Sequence, residues 1–289
     1  MIYIRAIWYT KQKKSEGIVM FYAALYNQTE YTFLKSTLRL SSLFEQAIVN
    51  RWTAIGIADQ NMSGAFKFYQ AAMQNNIKPI IGLQVFLGAY PQESPLLLFA
   101  KNKEGYQRLL KISTLQETKS DLLSFQYLKE HQNGLIAVVP VCEHEGPDAF
   151  FKGQLQTFIE VSKQLQQTFS DVYFGVSFQT DIVKQEIKPF LDQAKQLGIP
   201  ALFLHKQAYV KKEDKTAYQT LRAIESPGKN KEILPYEQHQ YVLPQGEVEK
   251  YATKFPELFD NLLKLVDSVD VTLSYQGYQM PRFPLKKGL

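Results

Sequence analysis

Between Phe21 and His205, short continuously apolar runs alternate with amphipathic stretches of helical spacing. No other property of the chain restricts its fold as tightly. Ala54-Ile55-Gly56-Ile57-Ala58-Asp59 is apolar at successive positions and closes on a carboxylate, the pattern of a strand covered on both faces. Comparable runs at 21–28, 79–90, 96–100, 135–141, 172–178 and 200–205 predict further strands. Helical spacing predicts helices over 41–51, with Leu43, Phe44, Ala47 and Ile48 on one face, and over 64–76, with Phe66, Tyr69, Ala72 and Met73. More helices are predicted over 104–115, 122–131, 154–169 and 182–197. Such alternation implies an α/β chain whose parallel sheet carries helices on its outer face. About seven near-regular units favour a distorted seven-stranded β/α barrel over an open doubly wound sheet. A helical tail follows over 251–269, interrupted at Pro256. In a barrel of this kind the chemistry collects where strands end, so the strand-end residues are the candidates to inspect.

Composition removes several classes. A single cysteine, Cys142, excludes an intrachain disulfide and a cysteine-rich zinc site. The net charge of +5, from 33 Lys+Arg against 28 Asp+Glu, permits contact with nucleic acid without demanding it. The basic residues at Lys11, Lys13, Lys14, Lys211, Lys212, Lys229, Lys231, Lys286 and Lys287 read as solvated surface. No apolar run reaches the ~18 residues of a membrane span, so no membrane partner and a cytoplasmic location are expected. Met1 to Ile4 are apolar but precede Arg5 and the lysines, the reverse of a secretion signal. Met20 is a second candidate start, and residues 1–19 read as an N-terminal extension. Residues 20–270 are expected to form the barrel domain. Ser226 to Lys231 is a polar turn, and Tyr278 to Pro284 is extended because Pro281 and Pro284 forbid helix.

Generic catalytic signatures are missing: there is no Gly-rich phosphate loop, no His-Glu-x-x-His and no Gly-x-Ser-x-Gly. Cys142-Glu143-His144 offers a thiol beside an imidazole, but adjacent residues of an extended segment point apart. Of the four histidines, His131 and His144 fall in or beside loops and His239 in the polar tail. His205 reads as a hydrogen-bonded strand-end residue. Asp267 and Asp270 sit in an amphipathic helical stretch, unlike a strand-end carboxylate pair.

Several ordered blocks resemble one family. Leu25 to Leu34, then Ala58-Asp59-Gln60-Asn61 with Gly64-Ala65 and Lys67-Phe68-Tyr69, then Ile77-Lys78-Pro79-Ile80-Ile81-Gly82, then Ala100-Lys101-Asn102 with Glu104-Gly105-Tyr106, are similar to successive motifs of the polymerase and histidinol phosphatase (PHP) domain. The last two blocks resemble the branch found at the N-terminus of bacterial replicative DNA polymerase III alpha subunits. Phe255-Pro256-Glu257 and Met280 to Pro284 resemble the segments leading into that enzyme's palm, so 271–289 are expected to begin the connection to an absent palm domain.

The resemblance implies a TIM-like barrel whose strand ends bind several metal ions. The family's ligand positions fall here on Tyr26, Gln28, Asp59, Gln60, Gln84, Pro95, Lys206 and Ala208, with Glu30 at a neighbouring acidic position. Only Asp59 keeps a ligand type; imidazoles and carboxylates hold zinc or manganese, and an ammonium repels them. The resemblance therefore implies a vestigial metal site, no catalytic residue, no cofactor for this fragment and no polymerase activity in isolation. It further implies a structural role in DNA replication, with magnesium needed only by the parent DNA-directed DNA polymerase, a nucleotidyltransferase. Expected partners are the remainder of the alpha subunit, other replisome subunits, and DNA through the parent enzyme. The alternatives are a metal-dependent phosphoesterase or 3′–5′ proofreading exonuclease, or a free-standing adaptor. Without metals Asp59 would be a buried unpaired carboxylate, which predicts an Asp59–Lys206 ion pair within ~4 Å.

Overall fold

Seven strands join in chain order into one curled sheet: β1 (Ala23–Ala24), β2 (Ala54–Asp59), β3 (Lys78–Leu87), β4 (Ser94–Ala100), β5 (Leu135–Pro140), β6 (Val172–Val176) and β7 (Ala201–Phe203). The computed structural model describes residues 22–87, 94–118, 123–141, 143–225 and 239–274. The expected extension at 1–19, Met20, Cys142, the polar turn at 226–231, the extended 278–284 segment and the lysines at 11–14, 229, 231, 286 and 287 lie outside these residues.

The helices are α1 (Leu40–Val49), α2 (Ala65–Gln74), α3 (Lys103–Thr118), α4 (Phe125–Glu130), α5 (Glu145–Phe151), α6 (Leu155–Thr168), α7 (Asp181–Gln196), α8 (Lys215–Glu225), α9 (Gln245–Lys254) and α10 (Pro256–Ser268). Helices α5 and α8 were not legible in the apolar spacing. Helix α5 is short and starts at a His144 cap, whose Nδ1 accepts from the Gly146 amide at 3.1 Å. Helix α8 buries little beyond Tyr218, so it shows no wide apolar stripe. The faces of α1 and α2 also turn slightly from expectation. Leu40, Leu43, Phe44 and Ala47 are buried in α1 while Ile48 is exposed; in α2, Ala65 and Phe68 are buried in place of Phe66 and Met73.

The sheet is mixed, which corrects the all-parallel expectation. Strand β4 runs antiparallel to both β3 and β5; every other pairing is parallel. Leu87 ends β3 and Ser94 opens β4, a connection shorter than the dozen or more residues that a parallel crossover needs.

The ring closes through one contact. Past the short β1, Asn27 forms a parallel bridge with Gln207, beyond the end of β7. Gln28 donates its amide to the Gln207 carbonyl and Gln207 donates to the Tyr26 carbonyl, both at 2.9 Å. The predicted strand over 21–28 is thus reduced to two residues and this bridge. The reason is a close approach at Leu25: a Cβ on Gly56 would stand 2.7 Å from the Leu25 carbonyl oxygen and 2.8 Å from its Cα. There the β1–β2 ladder is interrupted, and the Asn27 side-chain amide donates instead to the carbonyls of Ala24 at 2.9 Å and Gly56 at 2.8 Å.

The helical tail is a wall of the barrel. Pro256 separates α9 from α10 by starting the second helix, where its missing N–H costs nothing. Phe178 stacks on Tyr251 at 4.6 Å and on Phe255 at 5.1 Å, and Phe203 stacks on Phe259 at 4.8 Å. Asn261 donates to the Ala201 carbonyl at 2.8 Å. At the pole where the parallel strands begin, Lys78 donates to the Val266 carbonyl at 2.7 Å, and the Asp270 amide donates to the Lys101 carbonyl at 2.7 Å. Lys101 also pairs with Asp171 at 2.8 Å. Val271 and Leu273 also pack on the core.

Candidate functional site

The opposite pole, where the parallel strands end, is filled by a chain of polar side chains. The Tyr26 hydroxyl donates to the Glu143 carboxylate at 3.3 Å. Lys206 donates to the same Glu143 oxygen at 2.8 Å, and its ammonium lies 5.2 Å from the centre of the Tyr26 ring. The Gln84 amide donates to the Tyr26 oxygen at 3.0 Å. Gln84 in turn accepts from Gln28, in a short contact, and from Gln60 at 3.3 Å. Tyr26, Gln28, Gln60, Gln84 and Lys206, contributed by β3 and by residues just past β1, β2 and β7, therefore meet in one network. Glu143 links them.

Asp59 faces a different set of partners. Its carboxylate accepts from the Thr29 amide at 2.6 Å, the Thr29 hydroxyl at 2.7 Å and the Thr32 hydroxyl at 2.6 Å. It ties down the loop joining β1 to α1. Burial raises its pKa, and the Thr32 and Thr29 hydrogen bonds oppose that rise. Glu30 caps the same loop from its other end, accepting from the Leu40 amide at 2.9 Å.

The expected Asp59–Lys206 ion pair does not form: among the described residues Lys206 pairs with Glu143. Both side chains of that pair are nearly sequestered, 11% and 10% exposed, which distinguishes it from a surface contact. Three good donors satisfy Asp59 without a cation, and Glu143 offers Lys206 a closer carboxylate. Glu143 was missed because the sequence presents it only as a neighbour of Cys142. The available signal was its place just beyond a continuously apolar strand, the same signal that marked Asp59.

Two other expected positions stay out of the network. Pro95 is a buried residue of β4, paired in register with Phe86. Ala208 acts through its backbone, accepting from the Thr37 and Leu38 amides and the Ser36 hydroxyl, the last at 2.8 Å. His205 is buried and bonds through Nε2 to the Tyr241 carbonyl at 3.0 Å, and burial pushes its pKa down to about 4. On the rim, Lys35 pairs with Glu225 at 3.5 Å, and Arg222 contacts the same carboxylate.

Among the described residues, no group of three or more His, Cys, Asp or Glu is placed to hold a metal ion, and no helix is long and apolar enough to cross a membrane. Chemically the mouth is a chain of hydrogen-bonded polar side chains around one ion pair.

Comparison with known proteins gives three results. Residues 25–181 match the family model described as the PHP domain. The chain is 30% identical over 266 residues to the DNA polymerase III subunit alpha of Halalkalibacterium halodurans, covering 88% of this chain and 23% of that protein. It is 28% identical over 268 residues to the subunit of the same name from Bacillus subtilis, covering 89% of this chain and 24% of that protein. The chain thus spans about a quarter of the length of these relatives. Among solved structures, an amidohydrolase from Chromobacterium violaceum aligns over 64% of this chain and 87% of its own, with a TM-score of 0.43 and 8% identity.

Proposed function

Because the chain belongs to the PHP domain family, we propose that it is the PHP domain of a bacterial DNA polymerase III alpha subunit, serving as a metal-free structural module of that enzyme. The observation that carries this reading is the hydrogen-bonded polar chain across the mouth. A hydrolytic zinc or manganese cluster needs imidazole and carboxylate donors to balance its charge. The mouth offers three carboxamides, a phenol, an ammonium, a carboxylate neutralised by that ammonium, and a second carboxylate clasped by threonines. This donor set does not fit such a cluster, and Lys206 adds a positive charge at its centre.

The parent enzyme would carry out template-directed nucleotidyl transfer with magnesium held by palm carboxylates. Its remaining domains, other replisome subunits, and DNA bound by the whole enzyme are the proposed partners. The role left to this domain is to brace them.

Elemental analysis after dialysis against zinc and manganese tests the reading, together with a phosphodiester hydrolysis assay on the same sample. Less than ~0.1 metal per chain and no hydrolysis are expected. Two or more metals per chain with metal-dependent hydrolysis would replace the structural role with a phosphoesterase or proofreading exonuclease.

A further inference from the structure

The seam that closes the barrel is built from two carboxamides, and neither oxygen is satisfied. Asn27 and Gln207 are paired across the seam and both are fully buried, at 0% exposure. Tyr26, Gln28 and Lys206, their chain neighbours, face the mouth, so the two amides project to the opposite side of the wall. Bridged residues on adjacent strands project to the same face, which sets the two side chains next to each other.

Their donors are used. The Asn27 amide nitrogen serves the Ala24 and Gly56 carbonyls, and the Gln207 nitrogen reaches the Tyr22 hydroxyl at 3.5 Å. Asn27 Oδ1 and Gln207 Oε1 accept nothing from the protein. Two buried donors are also unpartnered: the indole N–H of Trp52, whose ring meets the Tyr22 ring edge-on at 5.4 Å, and the side-chain amide of Gln240, whose backbone carbonyl accepts from the Ala208 amide at 2.7 Å.

We infer that the β1–β7 seam holds an internal water site, with Asn27 Oδ1 and Gln207 Oε1 as its acceptors. The two oxygens supply two of the roughly three hydrogen bonds that a buried water makes. A buried carboxamide oxygen left bare is costly, on the scale of the whole hydrogen bond it lacks. The inference does not depend on the functional reading above, since it concerns the outer wall and not the mouth.

A crystal structure of this chain at high resolution tests it. The expected result is a well-ordered solvent peak within hydrogen-bond distance of both oxygens. A turned Gln207 carboxamide that donates straight to Asn27 Oδ1, with no solvent peak, overturns it. Oxygen-17 relaxation dispersion on the unaltered chain and on Gln207→Leu gives a solution readout. The slowly exchanging water signal is expected to fall in the variant, and an unchanged signal counts against the site. If Gln207→Leu fails to fold, the solvent map of the unaltered chain still decides.

Discussion

Lys206 and Glu143 meet at 2.8 Å in a nearly sequestered pair that spans the barrel mouth from the end of β7 to the segment after β5. The charges are mutually dependent, because each would be stranded in a poorly hydrated setting alone. Lys206→Met should therefore destabilise the chain by about 3 kcal/mol, as breaking one side of a buried pair does. Adding Glu143→Gln should recover most of that loss. Urea unfolding of the two single variants and the double variant measures the coupling; strictly additive losses would show that the pair is inert.

Asp59 should control order in the loop joining β1 to α1. Asp59→Asn turns one acceptor oxygen into a donor facing Thr29 or Thr32, at a cost of about 1–3 kcal/mol. Amide hydrogen exchange should accelerate over residues 29–38 while β5 and β6 stay protected. Uniform acceleration across the chain would instead mean that Asp59 acts on global stability alone.

Stability should fall on mild acidification. Burial lowers the pKa of His144 and of His205 to about 4, below the ordinary value near 6.5. The unfolded chain therefore takes up protons before the folded one does. The contribution is complete above pH ~6.5 and is lost as pH drops toward 4, by roughly 2 kcal/mol per histidine between pH 7 and 5. Asp59 works in the opposite direction: its raised pKa means that the folded state binds a proton more readily, which softens the loss at the acid end. His144→Asn keeps a capping acceptor for α5 and removes one titration, so the pH slope should shrink. An unchanged slope would remove His144 from the account.

Gly105→Ala should be severely destabilising. A Cβ at Gly105 would lie 1.8 Å from the Gly134 carbonyl oxygen, which already accepts from the Lys101 amide at 2.8 Å. The obstacle is backbone, so no rotamer relieves it, and a loss of about 3 kcal/mol is expected. Thermal unfolding of the variant checks this; a melting point within a degree of the parent's would show that α3 shifts freely.

Much of the architecture was legible because the core strands are apolar on consecutive residues. Ala54–Asp59 is predicted and found over the same residues. Strand direction was overlooked: nothing within Ser94–Ala100 says that it returns antiparallel, and the signal lay in the connection before it, too short for a parallel crossover. At the mouth, the ligand-type positions of the family located Tyr26, Gln28, Gln60, Gln84 and Lys206 in one network. The partner of Lys206 was hidden because pairing across a barrel joins residues 63 apart in sequence, and no local pattern records it. The Thr29 and Thr32 hydroxyls were equally silent, being ordinary loop residues until Asp59 gathers them.

The anchoring of α10 at the strand-start pole gives the molecule a mechanical polarity. Val266 and Asp270 are fastened to Lys78 and Lys101, a full barrel length from the ion pair that spans the other end. A pull applied at residue 270 enters the sheet at the first residue of β3 and just past the end of β4. A tether attached there bears on the strand-start pole, while the Lys206–Glu143 pair closes the other one.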